Sequence, residues 1–382
     1  MTFVRKFTII ISIKQQFTMK KAYLCAMKTI IALICIFALA ATTRAQELRR
    51  FRLQTWNVEN LYDTLKTADR DDGDFLPDGR YGWNTPRYWT KQGHLARTIL
   101  EAGGLQPVDV VALCEVENDS VVHDLCRRTR LASLGYDYVV SDSPDLRGID
   151  VALIYQPTSF RLLKHSAHGV PHDSLSERPT RDVMLCSGVI PTGDTLDIIV
   201  VHFPSRRGGQ RATEPYRLRA ADVVCRLADS LRAARQHPAI VVMGDCNDEP
   251  HDLSLRRIAE HGFVNCAAKA RAVDADANAP LSTSALPPRR FRRQRAETPR
   301  DKALQSIRGT YFFRQEWSRI DNVLISREGA ERYRVGDCLI FAPDYLLETD
   351  ASGFPLPYRT YRGPIYHGGV SDHLPLVLDL WY

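Results

Sequence analysis

No uninterrupted apolar run in this sequence is long enough to cross a bilayer. The longest, residues 30–41, falls short of the about 20 residues that a spanning helix needs. There is no internal repeat, no Cys-x-x-Cys pair and no Cys/His spacing suited to zinc. Cysteine is sparse, at nine in 382 residues. Excess positive charge is also missing from most of the chain. The formal charge is +6, but the first 45 residues carry Arg5, Lys6, Lys14, Lys20, Lys21, Lys28 and Arg44 with no acid. Without those seven, 44 basic residues face 45 acidic ones. A chain that holds polyanions by its overall charge is thereby excluded, so any such affinity has to come from local patches. With 44% hydrophobic and 25% charged residues, the composition also excludes disordered and collagen-like chains.

The N-terminal basic residues have another meaning. Lys20, Lys21 and Lys28 precede the apolar run 30–41, and Thr43-Arg44-Ala45 follows it. A positive region, a short apolar region and a small-x-small site predict a secretory signal peptide over residues 1–45, cleaved after Ala45. An uncleaved anchor is the alternative. Met19 and Met27 are alternative starts. Cys35 has no small residue before it and does not read as a lipidation site. The expected mature domain, 46–382, is then exported to the periplasm or the medium. It is expected to be monomeric and without stable membrane association. Cys25 and Cys35 leave with the signal, and seven cysteines remain, a number that cannot all pair. Cys114 and Cys246 lie in apolar runs and are expected as buried thiols.

Val- and Ile-rich runs bounded by Gly, Pro or Asp predict strands at 51–58, 108–116, 151–155, 196–202, 239–244, 321–325 and 374–380. Helical periodicity lies between them at 89–102, 119–134 and 214–234. Interleaved strands and helices indicate an α/β class. Residues 69–83, rich in Asp and Gly, read as a surface loop. Residues 267–305 have no apolar period and contain a dense arginine run at 289–295. They are expected to form a flexible Arg-rich insertion.

Polar residues gather where the apolar runs end. Thr55-Trp56 leads into Asn57 and Glu59, and Ala112-Leu113-Cys114 into Glu115. Val200-Val201 leads into His202, and Val242-Met243-Gly244 into Asp245 and Asn247. One such strand is ordinary capping, but four are hard to explain as turns. Asn, Asp and Glu are hard oxygen ligands that suit Mg²⁺, Mn²⁺ or Ca²⁺. Two histidines, His202 and His373, sit at similar apolar-to-polar junctions. Cation, carboxylate and imidazole together suit phosphoester hydrolysis by activated water. The remaining histidines read as structural or solvated.

Individually weak, these strings form an ordered set. It comprises Trp56-Asn57-Val58-Glu59-Asn60-Leu61, Ala112-Leu113-Cys114-Glu115-Val116, Arg147-Gly148-Ile149-Asp150, Val201-His202-Phe203, Gly244-Asp245-Cys246-Asn247, Arg319-Ile320-Asp321-Asn322 and Ser371-Asp372-His373-Leu374-Pro375. As a set it resembles the endonuclease/exonuclease/phosphatase superfamily, with its DNase I-like and exonuclease III-like members. The resemblance runs from about residue 51 to 381. It implies a four-layer α/β sandwich, two packed mixed β-sheets with helices outside. It implies that Asn57 and Glu115 hold the principal cation, with Asp372 nearby and Glu59 as a further carboxylate. Asp245 would position or deprotonate the attacking water, and Asn247 would hold a phosphate oxygen. His373, oriented by Asp321, would contact the scissile phosphate. His202 would be the second imidazole. Whether Asp245 or His373 is the base stays open.

Arg147, Arg206 and Arg207 are candidates for the substrate phosphate, each with a plain ion pair or exposed arginine as the alternative. Tyr361 and Tyr366, in a Pro/Gly-rich loop before His373, either stack on bases or pack the loop. The substrate expected first is nucleic acid, cleaved by an exported endonuclease-like phosphodiesterase. A phosphatase of small esters, such as inositol phosphates or nucleotides, is second. An inactive binding protein is the non-enzymatic alternative, which the intact residue set disfavours.

Overall fold

Alternation along the apolar runs decides the layers. Within 195–202, Ile198 and Val200 join one hydrophobic cluster, while Ile199 and Val201 join another that contains helix residues. A strand presents successive side chains to opposite faces, so this run is covered on both sides. The computed structural model describes residues 48–172, 178–274 and 298–382, and the isolated positions 19, 21, 23, 27 and 28. The signal cleavage site at Ala45 and the arginine run 289–295 lie outside the described residues. Arg50–Tyr382 forms one unit, separate from Met1–Arg49.

The strands are β1 (Arg50–Leu61), β2 (Val110–Val116), β3 (Asp137–Val140), β4 (Asp150–Tyr155), β5 (Arg161–His168), β6 (Val183–Val189), β7 (Thr195–His202), β8 (Ile240–Asp245), β9 (Phe263–Asn265), β10 (Arg271–Val273), β11 (Tyr311–Phe313), β12 (Glu316–Ser318), β13 (Asp321–Ser326), β14 (Arg334–Val335), β15 (Leu339–Phe341), β16 (Leu347–Thr349), β17 (Pro355–Pro357), β18 (Tyr361–Arg362), β19 (Ile365–Tyr366) and β20 (Leu376–Trp381). One mixed sheet has the order β10-β15-β20-β1-β2-β4-β3, with β14 beside β20. The other has the order β5-β6-β7-β8-β13-β9. Strands β11–β12, β16–β17 and β18–β19 form three small hairpins.

The two sheets pack face to face through β1, β2 and β4 on one side and β7, β8 and β13 on the other. Trp56, Leu113, Ile198, Val200, Val241, Met243 and Val323 are buried in the shared core. Helices α1 (Thr85–Gly103) and α2 (Asp119–Arg127) lie in the first half of the chain, and α3 (Gln210–Ala234) and α4 (Leu253–Glu260) in the second. Helix α3 places Ala221, Val224, Ala228 and Leu231 against Ile199, Val201 and Val242. Helix α1 contributes Leu95, Ala96 and Ile99 to the cluster of the first sheet. These are the expected layers, with helices outside two packed sheets.

Three boundaries differ from the sequence reading. Helix α3 begins at Gln210, so Pro215 lies inside it, past the first turn, and leaves one backbone carbonyl of that turn without its helical donor. The predicted helix over 119–134 breaks after α2, where the Thr129 side chain accepts from the Leu131 N–H and starts a short 3-10 turn. Residues 267–274 are not an irregular insertion. They form a 3-10 turn, Ala267–Lys269, and strand β10, paired in parallel with β15. Pro299–Ser306 is a helix, α5, opened by a capping box from Thr298 and Asp301. Among the described residues, no helix is long and apolar enough to cross a membrane. All seven cysteines from Cys114 to Cys338 are free thiols.

Candidate active site

Register brings the polar strand ends into one row. In the second sheet His202 of β7 pairs with Asp245 of parallel β8, and Asp245 pairs with Asp321 of antiparallel β13. Three residues far apart in sequence therefore stand side by side at one edge. In the first sheet Asn57 of β1 pairs with Cys114, the residue before Glu115. The segment Ser371-Asp372-His373 arrives just before β20, which pairs with β1. Ser371 Oγ donates to the Asn57 carbonyl at 2.7 Å and accepts from the His373 N–H at 3.1 Å. Trp56 Nε1 donates to the His373 carbonyl at 2.9 Å. Because the sheets pack face to face, the two edges meet.

His373 and Asp321 form a buried pair. His373 Nδ1 lies 2.7 Å from Asp321 Oδ2, which also accepts from Thr310 Oγ1 at 2.5 Å. Burial works to depress the His373 imidazole, but the charges of Asp321, Asp372 and Asp245 outweigh it and hold it up at about 10. His202 is driven the other way. Burial first, then Arg181, Arg147 and His373, press its imidazole well below its ordinary value, so it is neutral. Asp245 stands between them. Its Oδ2 accepts from Asn57 Nδ2 at 3.0 Å and lies 3.7 Å from His202 Nε2 and 3.9 Å from His373 Nε2. Its Oδ1 accepts from the Asn247 N–H at 2.8 Å. Burial and the Asp321 charge lift the Asp245 carboxyl to about 7.

Backbone strain is concentrated at the same edge. Glu59, Asn60, Glu115 and Asn247 all have positive φ. Non-glycine residues rarely adopt that conformation, and they do so most often where a site demands it. Glu115 Oε2 accepts from the Asn60 N–H at 2.9 Å, and Oε1 faces His202 Nε2 at 3.9 Å. Asp372 Oδ2 accepts from Arg359 at 3.0 Å, while Oδ1 lies 3.9 Å from His373 Nε2. Asn57, Glu115, His202, Asp245, Asn247, Asp321, Asp372 and His373 are thus joined by one chain of contacts.

The donor set fits a hard divalent cation. It is made of carboxylates, an amide and imidazoles, with two buried atoms, Asp321 Oδ1 and His202 Nδ1, lacking a hydrogen-bond partner among the described residues. Burial first, and then the neighbouring Asp321 charge, lift the Asp245 carboxyl, a cost that a cation would offset. Ligand atoms of Asp245, Asp321 and His373 lie within 4.8 Å of one another. The 2.7 Å contact within that trio is a hydrogen bond, so His373 and Asp321 read better as a proton-holding pair than as a cage.

Other expected residues are placed differently. Glu59 is buried, and its carboxylate accepts the N–H groups of Thr360 and Tyr361 at 2.7 and 3.3 Å. It clamps the loop before His373. Tyr361 is 8% exposed, enclosed by Tyr81, Trp83 and Tyr366, and its hydroxyl donates to the Tyr81 carbonyl. It packs the loop, and base stacking is closed to it. Tyr366 already carries the Arg87 guanidinium 4.4 Å from its ring centre. Arg206 is tied to the Asn247 carbonyl at 2.6 Å and to Asp252 at 2.6 Å, so it braces the site loop. Arg147 and Arg207 line a cavity beside the site.

The sequence reading missed four groups. Thr310 braces Asp321, and the Tyr311 ring lies 4.7 Å from the His373 ring. Lys91, fully buried, donates to the Glu59 and Val370 carbonyls and to Thr360. Arg181 is buried and donates to the Phe203 carbonyl at 2.7 Å. Lys91 falls in the first turn of the helix predicted over 89–102, where a lysine reads as solvated, and only the earlier start of α1 at Thr85 sets it inside the helix. The other three sit in segments without periodicity.

Comparison with known proteins agrees with this geometry. No curated protein sequence matches the chain. Among solved structures it is similar to an endonuclease/exonuclease/phosphatase family protein from Bacteroides thetaiotaomicron, at 15% identity over 88% of this chain and 99% of that one, with a TM-score of 0.51. It is similar to an endonuclease/exonuclease/phosphatase from Bacteroides vulgatus, at 14% identity over 87% and 98%, with a TM-score of 0.52. It is also similar to TDP2 from Caenorhabditis elegans, at 14% identity over 90% and 79%, with a TM-score of 0.51. At such identities the likeness is one of fold. The model of the Endonuclease/Exonuclease/phosphatase family matches residues 52–273 and 302–381, well over half of the chain, and the chain therefore belongs to that family.

Proposed function

We propose that this chain is an exported, divalent-cation-dependent phosphoesterase whose first substrate is nucleic acid, cleaved as a phosphodiester. The observation that carries the reading is the row His202–Asp245–Asp321 with His373 across it, two imidazoles and two carboxylates brought to one edge by strand register. Asp245 Oδ2, 3.7 Å from His202 Nε2 and 3.9 Å from His373 Nε2, is placed between the two imidazoles to take a proton from water. Protonated His373, its Nδ1 held by Asp321, presents Nε2–H as a charged donor to a phosphate oxygen. Neutral His202 stands beside both. Asn57 holds Asp245 in place through Nδ2. A cation seated by Glu115, with Asn57 and Asp372 nearby, would neutralise phosphate charge.

Export is supported by the signal-like pattern of residues 1–45, and phosphoester hydrolysis by the site chemistry. The test is a substrate panel. The purified protein is incubated with supercoiled plasmid, RNA, a chromogenic phosphodiester and inositol phosphates, with Mg²⁺ and with EDTA. Plasmid nicking that EDTA abolishes is the expected result. Activity on monoesters alone sinks the nuclease reading and leaves the small-ester phosphatase. Cleavage of nothing sinks both.

A further inference from the structure

Beside the catalytic cluster lies a cavity of about 380 Å³. Among the described residues that line it are five arginines, Arg147, Arg178, Arg181, Arg207 and Arg219, and a single carboxylate, Asp145. That carboxylate is already engaged, 3.0 Å from Arg181 and 3.6 Å from Arg147. Arg181 is 5% exposed, and its Nε has no hydrogen-bond partner among the described residues. With Arg219 left out of the balance, four guanidinium groups still face that one engaged carboxylate, in a concave site large enough for a ligand group. Planar guanidinium forks match phosphate oxygens.

The cavity is wired to the chemistry. Arg181 and Asn247 donate to the same carbonyl oxygen, that of Phe203, the residue after His202. The Tyr62 hydroxyl donates to the Arg147 carbonyl at 2.9 Å, and Tyr62 lies in the segment that follows Glu59 and Asn60.

We propose that this cavity is a second phosphate subsite, which selects substrates carrying a further phosphate beside the one being cleaved. The inference rests on the phosphoesterase reading above and deepens it. Several guanidinium groups against one engaged carboxylate favour a dianionic terminal phosphate over a diester. The favoured substrates are then 5′- or 3′-phosphorylated oligonucleotides, or small esters with two phosphates.

The test compares matched pairs that differ by one phosphate. One pair is a dinucleotide with and without a terminal phosphate. The other is an inositol bisphosphate and a monophosphate, and the pair that responds identifies the source. The wild type should prefer the phosphate-bearing member at least tenfold in kcat/KM, mainly through KM. The Arg178→Ala, Arg219→Ala double variant should lose that preference and keep its rate on the other member. Calorimetry with inorganic pyrophosphate in EDTA reads the cavity without turnover, and the double variant should bind at least tenfold more weakly. Circular dichroism checks its fold, and Arg178→Ala alone, at an exposed position, serves if the double variant does not fold. Equal kcat/KM across both pairs in the wild type, or a preference that survives in the folded variant, overturns the subsite and leaves the phosphoesterase standing. No turnover, with pyrophosphate binding that still depends on these arginines, overturns the phosphoesterase and leaves the subsite.

Discussion

The Asp321–His373 pair determines which proton sits where. Asp321→Asn removes the charge that holds His373 protonated and offers an amide where a carboxylate accepted. General acid–base contributions run to about 10²–10⁴-fold, so kcat should fall at least about 100-fold with little change in KM. A steady-state assay on the responding substrate checks this, and an unchanged kcat would break the link between the pair and catalysis. Glu115→Ala should remove most turnover and the response to added Mg²⁺ together. Retention of a Mg²⁺-dependent rate would move the cation elsewhere.

Asp150 offers a different residue-scale test. It is buried at the start of β4, accepts from Ser141 Oγ and the Ser143 N–H, and burial lifts its carboxyl from 3.8 to about 6. The sign follows from linkage. The neutral form fits the folded state better, so its contribution is complete below the unfolded value near 4 and is lost as pH rises through about 6. At about 1.4 kcal/mol per unit, the loss is of order 3 kcal/mol. Both hydrogen bonds end on Oδ1, which Asn retains. Denaturant titrations should show Asp150→Asn more stable than wild type at pH 7 and flatter between pH 4 and 6. Parallel curves would show that Asp150 does not titrate there. Residue types were legible at this scale, but orientations were not. Glu59 and Tyr361 look alike as sites or as struts until their partners are known.

Strand ends were the most legible elements. Each run of apolar residues stops where its polar signal begins, and register places those signals side by side. Gly244 shows how tight the register is. Its φ is +147°, and a Cβ there would lie 1.8 Å from the Val201 carbonyl oxygen on the neighbouring strand. Backbone has to move apart to admit it, just before Asp245. Gly244→Ala should cost about 3–5 kcal/mol, in the range of severe single substitutions. Thermal unfolding measures it, and a Tm within a few degrees of wild type would contradict the contact. Elements set by local competition were less legible. Thr129 ends a helix that periodicity alone would continue, and β10 is too short to carry a period of its own.

For the whole molecule, charge balance has a measurable consequence. Near-neutral net charge outside residues 1–45 leaves binding to a few phosphate contacts around the site. Counterion release then gives a shallow salt dependence. With about two contacts, kcat/KM on plasmid should fall only about tenfold between 50 and 200 mM salt, where a chain making many contacts would lose about 10³–10⁵. A loss of that larger size would reveal an extended cationic surface. The layered architecture was legible from interleaved strands and helices, whereas the arginine cavity was not. Its five arginines come from four separated segments, and nothing in their spacing announces that they share a wall.

Strand β20 inserts between β15 and β1, in the interior of its sheet, and His373 rides in just ahead of it. The sheet cannot close, and the imidazole cannot meet its carboxylates, until residues 371–381 have been synthesised and threaded home. A chain clipped before residue 371 therefore loses one imidazole and the strand that joins two parts of its sheet in a single cut.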